Sequence, residues 1–273
     1  MIHLFPKIKN RMLLIAACYL ALVGVYIALN RTSNILAILA IALVGLAIVM
    51  FSQLLNATNA HSQLLAKLYQ QLDVHGFLKI YEPKLDLAAK NPNTHLMVRL
   101  HLSNAYCALG EFDKAASLLT DVNITQKKKE DELLSRFAIE SNLSYFAQQN
   151  NDVKTAKKHM DRLLALKKEL ESLQTSKPEK KRMVFSTELN ELCMRYLETG
   201  KTDIEALRTL VRNNAQQLHK ITISLWIARA YLAENNRREA VKLLEQIVKL
   251  APDLYPGQEA ARMLAALPGG EEA

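Results

Sequence analysis

The sequence predicts an all-α chain, with two apolar helices of membrane-spanning length followed by a stack of helical hairpins. Three observations predict it. Met12 to Leu29 and Ile35 to Leu55 carry no charged residue, and each approaches the roughly 20 residues a helix needs to cross hydrocarbon. Helix breakers are scarce, with 8 Gly and 7 Pro in 273 residues, and the 6% aromatic content disfavours sheets. Small and large apolar residues also recur at hairpin spacing from residue 61 to residue 254.

The first 56 residues are expected to form a membrane anchor with spans of about 12–29 and 35–55. Asn30 to Asn34 (NRTSN) is a polar loop short enough to join two antiparallel helices. A cleaved leader is the competing reading of Lys7, Lys9 and Arg11. However, the apolar stretch is long, no small-x-small site precedes Asn30, and a second span follows at once. Three basic residues precede the first span and one, Arg31, lies in the loop, so both ends of the hairpin should face the cytoplasm. This suits an integral protein of a plasma or inner membrane. Small residues at Ala17, Ala21, Gly24 and Ala28 form one stripe, suited to packing on the second span through Ala42 and Gly45 or to pairing of two chains. Neither span holds an ionisable residue that could serve a transport path.

Downstream of the spans, one 34-residue pattern fits five times, from starts at 61, 96, 137, 186 and 221. In the last unit Ile227, Ala228, Tyr231, Ala240, Leu244, Ile247 and Pro252 fall at positions 7, 8, 11, 20, 24, 27 and 32. The unit from Leu96 supplies Leu102, Ser103, Tyr106, Gly110, Phe112, Ala115 and Leu119 at positions 7, 8, 11, 15, 17, 20 and 24. Small residues at 8 and 20 let two helices cross closely, and larger ones fill the gaps. This pattern resembles the tetratricopeptide repeat. The resemblance implies a hairpin solenoid over residues 57–267, with Gln258 to Leu267 as a capping helix and 268–273 as a flexible tail.

The resemblance also implies a concave groove lined by the first helix of each hairpin. Positions 2, 5, 9 and 12 of the repeat commonly face that groove. Among the residues at these positions, the candidates for the lining are Ser62, Tyr69, Asn104, Ser141, Tyr145, Gln148, Asn190, Met194 and Arg229. The implied ligand is an extended segment or helix of another protein, held by hydrogen bonds and apolar contact. Tyr145 is the leading anchor, because aromatic residues dominate interface energetics. Its alternative role is to fill the core where Ala147 replaces the repeat's usual tyrosine.

The residues nominate no catalytic centre. The seven histidines form no HExxH and no i,i+4 pair, and no phosphate-binding glycine loop occurs. Most of the histidines read as polar surface residues. Cys18, Cys107 and Cys193 are odd in number and far apart, and read as buried thiols in a reducing compartment. No metal or other cofactor is expected.

The net charge of +8 includes four basic residues in the anchor, leaving 31 basic against 27 acidic residues downstream. Nucleic acid is therefore not an expected partner. Two basic clusters stand out: Lys154, Lys157, Lys158 and Arg162 on one helix, and Lys177, Lys180, Lys181 and Arg182 in a loop where Pro178 should break the helix. A polyanion surface binder and an enzyme with an unrecognised site are the alternatives to the leading expectation. That expectation is a non-enzymatic, membrane-anchored cytoplasmic scaffold that binds partner proteins and could form homo-oligomers.

Overall fold

The computed structural model describes residues 2–30, 35–124, 126, 128–173 and 176–267. Arg31 and most of the NRTSN loop, and the tail at 268–273, lie outside the described residues. The chain is 83% helical, and the described residues contain no strand.

After a single 3-10 turn at Ile2–Leu4 come α1 (Pro6–Asn30) and α2 (Ile35–Tyr69), then α3 (Val74–Tyr81) and the short α4 (Lys84–Ala88). Three hairpins follow: α5 (Pro92–Ala108) with α6 (Phe112–Ser117), α7 (Lys129–Gln149) with α8 (Val153–Glu171), and α9 (Lys177–Thr199) with α10 (Ile204–Asn213). The array ends with α11 (Gln217–Ala233), α12 (Arg237–Leu250) and α13 (Tyr255–Ala266).

Local chemistry sets many of the boundaries. Asp73, Asn91, Asp152, Asp203 and Asn236 each accept a backbone N–H three residues on, capping the helices that follow them. The turns need left-handed backbone, supplied by Gly110 (φ 81°), Gly200 (φ 70°) and Asn235 (φ 59°). The segment SKPEKKR is not the expected loop. Pro178 sits in the first turn of α9, where its missing N–H costs nothing, so Lys177 to Arg182 are helical.

α1 and α2 run antiparallel. Their close approach is Tyr19 against Gly45, with the Tyr19 hydroxyl 3.4 Å from the Ile41 carbonyl. The stripe of small residues is not in this contact. Ala17, Ala21, Gly24 and Ala28 are all exposed, and Gly24 has open space where a side chain would be. Met12, Ile15, Ala16, Tyr19, Val23 and Ile27 form the less exposed face of α1. Cys18 is also exposed on α1, whereas Cys107 and Cys193 are buried as expected.

α2 is one unbroken helix of 35 residues. The boundary expected at 56/57 falls inside it. Its first half shows apolar side chains outward, such as Leu36 and Ile41, while Ala57, His61, Leu64, Leu68 and Tyr69 are buried in the array.

The array does not leave a wide open groove. Gln70 Nε2 donates to the Ala215 carbonyl at 3.0 Å, and the Tyr69 and His219 rings lie 5.6 Å apart, so α2 meets the amino end of α11. The Tyr255 ring packs edge-on against Phe112 at 4.9 Å, and its hydroxyl donates to the Gln149 carbonyl at 3.2 Å. The expected capping helix α13 thus reaches back to α6 and α7. α11 is enclosed on every side: Leu218, Ile221, Ile223, Leu225, Trp226, Ile227, Ala228, Ala230 and Tyr231 are all buried. A helix apolar all round is a central helix.

Candidate interaction surface

The first helices of the hairpins, α5, α7, α9 and α11, converge on one pocket of about 200 Å³. Four of the residues expected to line the groove meet there: Asn104 from α5, Ser141 and Tyr145 from α7, and Asn190 from α9. Asn190 Nδ2 donates to Ser141 Oγ at 3.2 Å and to the Ser186 carbonyl at 2.9 Å, which fixes the amide across α7 and α9. Its Oδ1 is buried and has no protein partner.

Tyr145 stands between the two halves of the core and packs against both main apolar clusters. Its hydroxyl is buried beside Thr222 and Trp226, and burial raises its pKa well above the usual phenol range. The ring therefore lines the pocket and supports the core together.

The other five expected residues lie elsewhere. Ser62 is exposed on α2. Tyr69 is buried, accepting from Asn104 Nδ2 and lying 3.0 Å from His101 Nδ1. Gln148 is fully buried and bridges α7 to α9 through Ser144 Oγ and the Asn190 carbonyl. Met194 packs with Ala147 and Ala156. Arg229 is 7% exposed, with its guanidinium 4.7 Å from the Trp226 ring and bonded to Tyr255 and Glu259 of α13.

Sequence reasoning missed most of the pocket wall. His219 and Thr222 from α11, Asn142 from α7 and Phe185 from α9 are among the residues that complete it. His219 precedes the start assigned to its repeat, and Phe185 precedes the start of the fourth unit, so the template never reached them. The pocket contains no Lys, Arg, Asp or Glu. His219 is neutral as well, its pKa lowered to about 4 by burial. A charged group would lose its hydration here without gaining a counter-ion, so the wall selects neutral groups.

Three histidines correct the surface expectation. His61, His101 and His219 sit around Tyr69 and Tyr81, with ring centroids 5.6–6.0 Å apart in the neighbouring pairs. His75 is exposed, as expected. His159 is paired with Glu140 at 2.6 Å. Among the described residues no group of three or more His, Cys, Asp or Glu is arranged to hold a metal ion.

A second, more open groove runs over α7 between α6 and α8. Its two lobes, about 520 and 660 Å³, share Leu119, Asp121, Ile139, Glu140 and Arg162. The basic residues of α8 are partly engaged: Arg162 reaches Glu140 at 3.5 Å and Lys157 reaches Glu198 at 3.7 Å.

A family model described as a tetratricopeptide repeat matches residues 224–253, which span most of α11 and all of α12. No curated protein matches the chain. Among solved structures, the chain is similar to nearly identical tetratricopeptide-like repeats of a Podosopora anserina protein described as a kinesin light chain. The identity is 22%, over 70% of this chain and 94% of that one, at a TM-score of 0.38. A single-substitution variant of the same protein gives 21% identity, the same coverage and a TM-score of 0.37. Among the described residues the fold is all-helical, one stretch at 224–253 matches a tetratricopeptide repeat, and two apolar amino-terminal helices are candidate membrane spans.

Proposed function

We propose that this chain is a membrane-anchored adaptor whose helical array, on the cytoplasmic side of a plasma or inner membrane, binds a partner protein. The observation that carries it is α2. One continuous helix presents an apolar, outward-facing half long enough to span hydrocarbon, then enters the core of a tetratricopeptide-type array. A protein-interaction fold is thereby coupled rigidly to an anchor. The fold is not a typical enzyme fold.

The amino terminus supports the topology. Leu4 is fully buried in the same core, and Lys84 Nζ donates to its carbonyl at 2.8 Å. The residues before α1 therefore sit with the array, on one side of the helix pair. The basic Lys7, Lys9 and Arg11 at the start of α1 favour the cytoplasm for that side.

The partner offers an uncharged side chain to the pocket between α5, α7, α9 and α11, where Asn104, Asn142 and Asn190 supply amides and Phe185 and Leu218 apolar contact. Two experiments test this reading. A reporter active only outside the cytoplasm, fused after Ala273, should be silent; activity there overturns the topology. Ser186→Phe, which fills the pocket mouth, should abolish recovery of partners from detergent-solubilised membranes with an unchanged melting curve. Unchanged recovery overturns the pocket assignment.

A further inference from the structure

We infer that the surface of α3 and α4 lies against the lipid headgroup layer and inserts Ile80 and Leu87 into it. The inference rests on the membrane-anchor reading of α1 and α2. It adds a second contact with the membrane that the spans alone do not require.

Two independent routes place this surface close to hydrocarbon. The first follows α1. Charged residues end at Arg11, so hydrocarbon begins near Met12. Phe5 is seven residues earlier, about 10 Å along a helix. Lys84 of α4 reaches both the Leu4 carbonyl, at 2.8 Å, and the Phe5 ring, at 4.2 Å. The second route follows α2, whose apolar stretch ends at Leu55. His61 is six residues on, about 9 Å further. Its ring lies 5.9 Å from Tyr81, the residue after Ile80. Both routes put the backbone of α3 and α4 about 9–10 Å from hydrocarbon, just outside a headgroup layer about 5–8 Å deep on each side and within a side chain's length of it.

The side chains exposed there suit that layer. Ile80 is 43% and Leu87 42% exposed, among the few large apolar side chains outside α1 and the apolar half of α2 left so open. Lys79 and Lys90 are exposed beside them, and Lys7, Lys9 and Arg11 project from the neighbouring start of α1. Glu82 and Asp86 are exposed on the same segment, so basic residues outnumber acidic ones by five to two. Basic side chains near an anionic leaflet and apolar side chains at the acyl boundary are the two components of interfacial attachment. With α2 continuous into the array and Leu4 clamped by Lys84, this contact fixes the tilt of the array on the membrane.

The test uses the full chain carrying Cys18→Ala, since Cys107 and Cys193 are buried. Single cysteines at Ile80, Leu87, Leu22 or Val184 are spin-labelled in nanodiscs of three parts phosphatidylcholine to one part phosphatidylglycerol. Collision with apolar oxygen is compared with collision with a water-soluble nickel chelate. Val184 is the aqueous control. It adjoins Phe185, which stacks on His219 beside Tyr69, about 21 Å beyond Leu55 along α2. Labels at Ile80 and Leu87 should favour oxygen several-fold more than the Val184 label does, though less than the Leu22 label does. If Ile80 and Leu87 match Val184 while Leu22 reports hydrocarbon, the interfacial contact is wrong and the anchor stands. If Leu22 also reports water, the anchor reading fails and takes this inference with it.

Discussion

The hydroxyl of Tyr69 lies 3.0 Å from Nδ1 of His101 while accepting a hydrogen bond from Asn104 Nδ2. Since Asn104 donates, the tyrosine proton is free to go to His101. The imidazole must then be neutral, with its own proton on Nε2. A partly buried polar chain of this kind ties α2 to α5 only while His101 stays uncharged.

Acid should therefore loosen the array. Burial lowers His101 and His219 to about 4, and for His101 the nearby His61 adds to the effect. Both groups bind protons more readily when unfolded, at about 6.5. The stabilisation is complete above pH 6.5 and is lost as pH falls towards 4, by up to about 3 kcal/mol for each group. Thermal unfolding of the detergent-solubilised chain between pH 8 and 4 should show this loss. His101→Gln should reduce the slope, and an equal slope in that variant would refute the assignment.

Ala240→Glu should destabilise the last hairpin strongly. Ala240 is fully buried in the cluster of Trp226, Ile227 and Tyr231, where α11 and α12 cross. A carboxylate there is overpacked and unpaired, and about 2–4 kcal/mol should be lost. A melting temperature equal to that of the parent would show that the crossing is looser than it looks.

Much of this was legible in the sequence because helix ends and close crossings have local signatures. Asp73, Asn91 and Asn236 cap where cap residues should, and Ala115, Ala156 and Ala240 are fully buried at the small positions of their repeats. The shape of the groove was not legible. A repeat template assumes an open face, whereas the first helix of the fifth hairpin is apolar on all sides, which hides its orientation from any periodicity. The contact of Tyr255 with Gln149 spans 106 residues and has no local trace. Closure by α13 buries Arg229 and the meeting of α2 with α5 and α11 buries Tyr69, whereas Gln148 and Met194 are buried between neighbouring hairpins. The expectation that most histidines lie at the surface misses His101 and His219 because nothing in their sequence neighbourhood records that a distant tyrosine lies against them.

Tyr145 should behave as a core residue when truncated and as a pocket residue when trimmed. Tyr145→Ala removes a ring that packs on both main clusters, and about 3–5 kcal/mol should be lost. Tyr145→Phe keeps the ring and removes only the buried hydroxyl, so the melting temperature should change little. Partner recovery should survive Tyr145→Phe if apolar contact dominates in the pocket. A neutral Tyr145→Ala would place the ring outside the core.

Arg229 and Glu259 should be strongly coupled, because their pair joins the matched repeat to the helix that closes the array. Arg229 Nη2 donates to the Tyr255 hydroxyl at 3.1 Å and reaches Glu259 Oε1 at 3.4 Å. The Tyr255 hydroxyl in turn donates to the Gln149 carbonyl, so the chain of bonds runs from α11 through α13 to α7. The Arg229 side chain is 8% exposed and that of Glu259 19%, so neither charge is well hydrated. Glu259→Gln leaves the guanidinium in the interior without its counter-charge, and about 3–5 kcal/mol should be lost. Arg229→Met should cost less, about 1–3 kcal/mol, because its stem still covers Trp226 and Glu259 keeps Arg262 as a partner. Once Arg229 is gone, the second change removes a charge that no longer has this partner. The double variant should therefore be more stable than the summed single losses imply, by about 1–3 kcal/mol. Thermal unfolding of the four forms measures that difference. Additive losses would mean that the two side chains are neighbours without a working ion pair, and that α13 is held by Tyr255 and apolar contact alone.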